Sequence, residues 1–434
     1  MQRYMRYIRY MVFTITAVLI VLIESCAADN SIPADEQELL MELRNEIIDD
    51  LENNLLPFWK NNSVDHDDPN KGFFGAISNE GTGIHYAKKG SVLFARYLWT
   101  YSAAYRVLGD DESLELAHRA YRYFTDHFID HEFGGVYWEL NHDGTVSDPE
   151  KITYGLSFAV YALSEYFRVT QDPESLDHAV QLYNMIEKHA RDSEFGGYLE
   201  AFTREWEYIE GGGSVAAGQA KSMNTHLHIL EAYTNLFRVW PDKNLKESIY
   251  DLADIFNNHI VDKSRYHQDL YFSSNWEVYG DYDSYGHDIE FSWLFYEAAE
   301  VLEDKEFIKE AGELAVKIAS AQMEKGLNPD GAMIYERAGE NEYVTNIDWW
   351  VQAEAVVGFL NAYDISGDMV FLEAAAGVWE YINKNMIDRQ YGGWFPRVDE
   401  RGNPAPGRVK ANAWTGPYHN VRMGLEVYHR YMSF

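Results

Sequence analysis

Apolar residues return every third or fourth position through most of this chain, in stretches of two alternating kinds. In the first kind, such as 91–109 (SVLFARYLWTYSAAYRVLG), 153–171 (TYGLSFAVYALSEYFRVTQ) and 349–365 (WWVQAEAVVGFLNAYDI), apolar side chains cover nearly the whole circumference. That predicts a helix buried on all sides. The second kind carries more charge, as an outer helix should: 110–128 (DDESLELAHRAYRYFTDHF), 172–190 (DPESLDHAVQLYNMIEKHA) and 368–385 (DMVFLEAAAGVWEYINKN). Acidic residues at their starts, and Pro173, suit helix N-termini. The stretches at 226–240 and 244–260, and at 289–302 and 305–323, repeat the alternation, giving five helical hairpins. A lone amphipathic stretch from Glu36 to Trp59 and another at 420–432 pair as a sixth. Two concentric rings of six helices follow, an all-α (α/α)6 barrel; an open superhelix of the same hairpins is the alternative.

Between the hairpins a glycine-aromatic turn recurs six times, at intervals mostly of about 60 residues. It reads KGFFGAI from Lys71, EFGGVYWEL from Glu132, EFGGYLEAF from Glu194, DLYFSSNWE from Asp269, DGAMIYER from Asp330 and YGGWFPRVD from Tyr391. The fourth copy has lost its glycines. NHDGTV and DERGNP beside these turns predict short β-hairpins rimming one end. A Gly-rich insertion, Gly211 to Ser214, follows the third turn and reads as a loop able to move over a cleft.

Composition narrows the ligand. The net charge is −34, from 36 basic and 70 acidic residues, which repels nucleic acid and anionic polymers. A neutral or cationic small molecule fits better. Residues 1–26 read as a leader: Arg3, Arg6 and Arg9 precede an apolar run, Met11 to Ile23, too short to span a membrane comfortably. Cys26, the single cysteine, follows it as in a bacterial lipoprotein signal. Glu24 is unusual in such a signal, so ordinary cleavage nearby stays open. The chain is therefore expected to be exported, periplasmic or on the outer membrane, with lipidation at Cys26 as its membrane attachment. Residues 27–35 form a short tether and 36–434 a single catalytic domain.

The chemically capable residues cluster where each inner helix begins: Arg96; Tyr154; Asn224, His226 and His228; His287, Asp288 and Glu290; Asp348, Trp349, Trp350, Gln352 and Glu354; Tyr418, His419, Asn420 and Arg422. Parallel inner helices would gather them at one mouth. Helix N-termini disfavour imidazolium, and a neutral histidine can act as a general base. His226 and His228 are two apart, so one at most should face the mouth. The same rule has one of Trp349 and Trp350 lining the cavity and the other packing. His287, His419 and Glu290 could ligate a metal, but no HxxxH or HExxH spacing supports it, and none is expected. Neither a serine elbow nor a phosphate loop is present. Glu290, Asp348 and Glu354 keep glycoside hydrolysis open, and a non-catalytic sugar-binding surface is a further alternative.

In SVLFARYLW, KSMNTHLHILEAYTNLFRV, SYGHDIEFSWL, DWWVQAEAVVGFLNAY, YGGWFPRVDERGNP and GPYHNVRMGLEV the chain resembles the N-acylglucosamine 2-epimerase superfamily, and within it the cellobiose 2-epimerases. The resemblance spans roughly 36–434 and implies an (α/α)6 barrel. It implies cofactor-independent, reversible epimerisation at carbon 2 of the reducing-end glucose of cellobiose, lactose or a related β-1,4-linked disaccharide, through ring opening and a cis-enediolate. By that resemblance His287 and His419 match the acid/base pair, and His228 a histidine assisting ring opening or proton shuttling. Arg96 would bind the oxygens that gather charge, and Glu290 would orient a histidine or hydroxyl. Tyr154, Asn224 and Asp348 would touch substrate, while Trp350 and Trp414 would stack on the sugars, Trp414 nearer the non-reducing one. His226 has no assigned chemistry. A mannose-isomerase-like aldose–ketose isomerase is the alternative within the superfamily, and a monomer is implied.

Overall fold

The computed structural model describes residues 33–66, 72–339 and 342–432. The leader and Cys26 lie outside the described residues. The chain divides into two units, Met1–Glu42 and Leu43–Phe434. Helix α1, Ala34–Asp50, begins in the first and continues through a π-helical turn, Leu51–Leu55, into α2, Leu56–Asn62. The remaining helices are α3 (Ser91–Leu108), α4 (Asp111–His127), α5 (Thr153–Thr170), α6 (Pro173–Met185), α7 (Met223–Phe237), α8 (Lys243–Ile255), α9 (Tyr285–Leu302), α10 (Lys305–Lys325), α11 (Trp349–Ser366), α12 (Met369–Asn385) and α13 (Tyr418–Tyr431).

Within Leu43–Phe434 the apolar helices α3, α5, α7, α9, α11 and α13 each pack on the next, and α13 returns to α3. The ring closes, so the fold is an (α/α)6 barrel and not an open superhelix. Outer helices α4, α6, α8, α10 and α12 each pack on the inner helix before them, and the π turn at Leu51–Leu55 packs on α13. That contact completes the sixth hairpin from the two ends of the repeat series. The outer helices start sharply because an aspartate caps them. The side chains of Asp172, Asp242, Asp304 and Asp368 accept from backbone N–H groups one turn in.

Inner helices start differently: short strands lead into them. Lys89–Gly90, Lys151–Ile152, Lys221–Ser222 and Ile347–Asp348 pair antiparallel with strands following the next glycine turn, at Glu139–Leu140, Ala201–Phe202, Tyr271–Phe272 and Arg397–Val398. The expected rim of hairpins is present, as at Glu139–Asp148, but its main work is to join each repeat to its neighbour.

Each glycine turn opens on a residue that organises it. Asp130, Asp192 and Asp388 accept from two backbone N–H groups ahead of them, and Gly134, Gly196 and Gly392 take φ of 74°, 73° and 79°. The fourth turn lies upstream of where its aromatic residues suggest. Tyr266 N donates to Asp262 O at 2.7 Å, as Gly134 N does to Asp130 O at 2.8 Å, and Tyr266 holds φ at 56°. A tyrosine stands where the other copies have glycine.

Candidate active site

A cavity of about 340 Å³ opens where the six inner helices begin. Its walls include Arg96 on α3, Tyr154 on α5, Asn224 and His228 on α7, His287 and Glu290 on α9, Trp350 on α11 and His419 on α13. Asp348 and Trp414, just ahead of α11 and α13, complete the set of ten residues expected from the sequence. The opposite ends of the same helices line a separate cavity through Arg106, Arg168, Arg238, Glu300, Asp364 and Arg430. The inner helices therefore run parallel.

Three imidazoles face this mouth, and each is held through Nδ1. His419 Nδ1 lies 2.7 Å from Glu354 Oε1, His228 Nδ1 lies 2.8 Å from Glu231 Oε2, and His287 Nδ1 lies 2.6 Å from Ser284 Oγ. An ionised carboxylate only accepts, so His419 and His228 carry the proton on Nδ1 and keep the Nε2 lone pair free. Ser284 can donate or accept, which leaves His287 either tautomer. Trp350 packs against both His287 (4.8 Å between ring centres) and His419 (5.4 Å). Burial pushes all three imidazoles toward neutrality. His287 falls to about 3, with His228 adding to the effect. His419 falls well below its usual value through burial and the charges of Arg96 and Arg422. His228 falls by burial, partly offset by its bond to Glu231.

Beneath the imidazoles the guanidinium of Arg422 gathers three buried carboxyls. It donates to Glu231, to Glu290 Oε1 at 2.8 Å and to Glu354 Oε1 at 2.6 Å. Burial raises Glu231, but Arg422 and the hydrogen bonds from His228 and Tyr418 outweigh it and hold the carboxyl at about 2. Glu290 is pushed well above the carboxylate range by burial and by the neighbouring Glu354; Glu354 is also raised by burial, with Arg422 opposing. Burial and the adjacent carboxyls favour the neutral form of Glu290, whose Oε2 has no hydrogen-bond partner among the described residues. It is Glu354 that bonds His419, whereas Glu290 Oε1 lies 3.8 Å from His419 Nδ1. Glu290, Glu354 and His419 place donor atoms within 4.8 Å of one another, a metal-ligand spacing, but Arg422 already supplies the cation there.

Arg96 donates to the Trp414 carbonyl at 2.7 Å and to the Tyr154 hydroxyl at 3.1 Å, and its guanidinium lies over the Phe158 and Tyr418 rings. Trp414 is 48% exposed beside the opening and approaches Tyr154 and Trp138. Asn224 Oδ1 is buried without a hydrogen-bond partner among the described residues. Asp348 lines the cavity, but both its oxygens accept from Arg397 at 2.9 Å.

Several other mouth residues turn away. His226 accepts from Tyr198 N through Nε2 at 3.0 Å, and its Nδ1 lies 2.7 Å from Ser222 O, as the two-residue spacing from His228 requires. Asp288 holds His267 and Gln268, and Gln352 pairs with the Met333 backbone. Trp349 departs from the expectation and lines the cavity with Trp350. It is the first residue of α11, where no preceding helical turn confines the side chain. The Gly-rich insertion lies elsewhere than over this cleft. Gly212 packs against Ala201 and Ile209, and Gly213 against Glu200. Tyr335, Arg397, Arg408, Asn412 and Thr415 also line the cavity; Arg397 is in a short strand and the others sit in loops, where the repeat pattern leaves the register open.

The family described as N-acylglucosamine 2-epimerase (GlcNAc 2-epimerase) matches residues 72–422. A cellobiose 2-epimerase of Bacteroides fragilis is 45% identical over 388 residues, covering 89% of this chain and 98% of its own. The solved structure of cellobiose 2-epimerase from Bacillus thermoamylovorans B4167 superposes with a TM-score of 0.83 at 40% identity, over 89% of this chain and 99% of that one. D-mannose isomerase of Marinomonas mediterranea is more distant, 23% identical over 385 residues, covering 83% of this chain and 91% of its own.

Proposed function

Since the chain belongs to the N-acylglucosamine 2-epimerase family, we propose that it inverts carbon 2 of the reducing-end glucose of a β-1,4-linked disaccharide, such as cellobiose, lactose or mannobiose. The observation that carries this reading is the convergence of three uncharged, oriented imidazoles on one cavity. The hydrogen on carbon 2 becomes acidic only when the sugar ring opens and leaves an aldehyde at carbon 1. His228, with Nε2 free, suits the proton movements of ring opening. One of His287 and His419 then takes the carbon 2 proton as a neutral base, leaving a cis-enediolate. Negative charge developing on that intermediate raises the proton affinity of the remaining imidazole, which takes a proton from solvent in the cavity and returns it to the opposite face, while the first imidazole releases the carbon 2 proton to solvent. Arg96, the protonated Glu290 and Asn224 suit contacts to the substrate oxygens, the first two as donors to developing charge. Trp350 and the half-exposed Trp414 offer aromatic faces, the outer one for the second sugar. That outer face favours a disaccharide over the single sugar of an isomerase.

Hydrolysis is poorly served by the same residues. It requires two working carboxyl groups across the scissile bond. Asp348 is engaged by Arg397, and Glu354 by His419, Arg422 and Trp293 Nε1. Glu290 is left alone.

In heavy water the enzyme should place deuterium at carbon 2 of its mannose-containing product. His287→Ala and His419→Ala should each lower turnover at least about 10³-fold while keeping the helical circular dichroism. Product formation without deuterium at carbon 2 would remove the enediolate route, and lactulose as the sole product from lactose would point to isomerisation. The reading extends to the cell: the leader exports a monomeric enzyme, and lipidation at Cys26 tethers it. Cys26→Ala should then move the activity from membrane to soluble fractions; activity that stays in the cytoplasm in both forms would overturn the export reading.

A further inference from the structure

Arg422 stands where imidazole–carboxylate pairs from two separate parts of the ring meet. Its Nη1 donates to Glu231, the partner of His228 on α7. Its Nη2 donates to Glu354 on α11, the partner of His419 on α13. The Tyr418 hydroxyl donates to the same Glu231 oxygen and accepts from Arg422, closing a cycle of bonds. The guanidinium plane is packed by the rings of Trp293 (4.7 Å) and Tyr418 (4.2 Å). None of these residues is more than 6% exposed, so the charges are weakly screened.

A guanidinium presents its donors in a rigid planar fork, so fixing one carboxylate on it constrains the other. Resting on the epimerase reading above, we propose that Arg422 and Glu231 are positioning residues that tie His228 and His419 into one unit, so that both imidazoles present Nε2 lone pairs to the substrate together. Among the described residues His287 shares no hydrogen bond with this unit and is bonded through Nδ1 to Ser284. The groups facing His228 are Glu231, Arg96, Arg422 and Tyr154. Those facing His419 are Glu354, Glu290, Arg96 and Arg422, with Glu231 and His228 at longer range. Removing the Glu231 charge therefore acts on both imidazoles through Arg422. A purely structural network would affect stability and leave the tautomers of two separate histidines uncoupled.

The test reads tautomers directly. Nitrogen-15 spectra of histidine-labelled full-length protein, assigned with His228→Gln and His419→Gln, should show unprotonated Nε2 for both residues at pH 7. In Glu231→Gln, a nearly isosteric change, the amide can donate to Nδ1. His228 should then gain an Nε2–H population, the His419 signals should move with it, and those of His287 should stay. Turnover should fall on the order of 100-fold, with KM within about threefold, as for an outer partner that orients a working group. Arg422→Met should displace both histidines together. If it does not fold, Glu231→Gln decides alone. Unchanged His419 signals in Glu231→Gln, or turnover within threefold of the parent, would overturn the coupling. A parent enzyme that puts no deuterium at carbon 2 would instead defeat the epimerase reading, while the tautomer spectra would still judge the coupling.

Discussion

An imidazole of ordinary proton affinity, with a pKa of about 6.5, is only about one-tenth neutral at pH 5.5. A base of that kind loses about tenfold in kcat/KM between pH 8 and pH 5.5. His287 and His419 are pushed far below this value, by burial first and then by neighbouring charge, so their basic form persists as acid is added. We therefore expect kcat/KM for cellobiose or lactose to stay within about twofold from pH 8 down to pH 5.5. A limb falling tenfold below pH 6.5 would mean that a working imidazole is solvated, contrary to its surroundings. The same residues show how far single positions were legible. His228 and His226 differ in role because two residues on a helix face different ways, which the spacing alone indicated. All ten expected residues line the cavity, nine of them because they occupy one recurring place in the repeat and Trp414 as the family resemblance implied. Glu231 escaped notice: more than two turns into α7, beyond the polar cluster at its start, it reads as core, and only its contacts with His228, Tyr418 and Arg422 reveal its work.

At the scale of elements, helix pairs could be read because apolar periodicity is a local signal, whereas the links between repeats are not local. Asp130, Asp192 and Asp388 open glycine turns, yet each also receives a lysine from the segment that follows: Lys151, Lys221 and Lys410, at 2.9, 2.8 and 2.6 Å. These lysines lie 20 to 30 residues from their partners, and nothing in the hydrophobic pattern marks them. Two of the pairs, Lys151–Asp130 and Lys410–Asp388, are almost wholly buried at both ends. Either partner without the other would leave a buried charge. The fourth repeat breaks the pattern in two places. Asp283 occupies the lysine position and takes Arg265 and Arg337 as partners. Tyr266 replaces glycine at a positive φ. The register of that turn was misread because a glycine-based search follows glycines, whereas the conserved geometry rests on the aspartate that precedes them.

Closure of the ring makes the whole molecule answer to small changes at its inner seams. Inner helices α9 and α11 are in tight contact at Gly358, where an added Cβ would lie 2.5 Å from Ile289 Cγ1 and 2.8 Å from the Ile289 carbonyl oxygen. A side chain can rotate away, but backbone in a closed ring can move only by displacing its other neighbours. Ile289 adjoins Glu290, and Gly358 lies one helical turn beyond Glu354, so the two carboxyls on Arg422 sit at this seam. Gly358→Ala should therefore cost about 1–3 kcal/mol of stability and, by moving those carboxyls apart, lower kcat on the order of tenfold. Gly377 provides the contrast. It lies within outer helix α12 with nothing within 4 Å of its Cβ position. Gly377→Ala should raise stability by about 1 kcal/mol, the difference in helix propensity, and leave kcat unchanged. Thermal unfolding and turnover of both variants, measured side by side, check the point. Equal behaviour of the two would show that the inner seams of the barrel are no more tightly constrained than its outer surface.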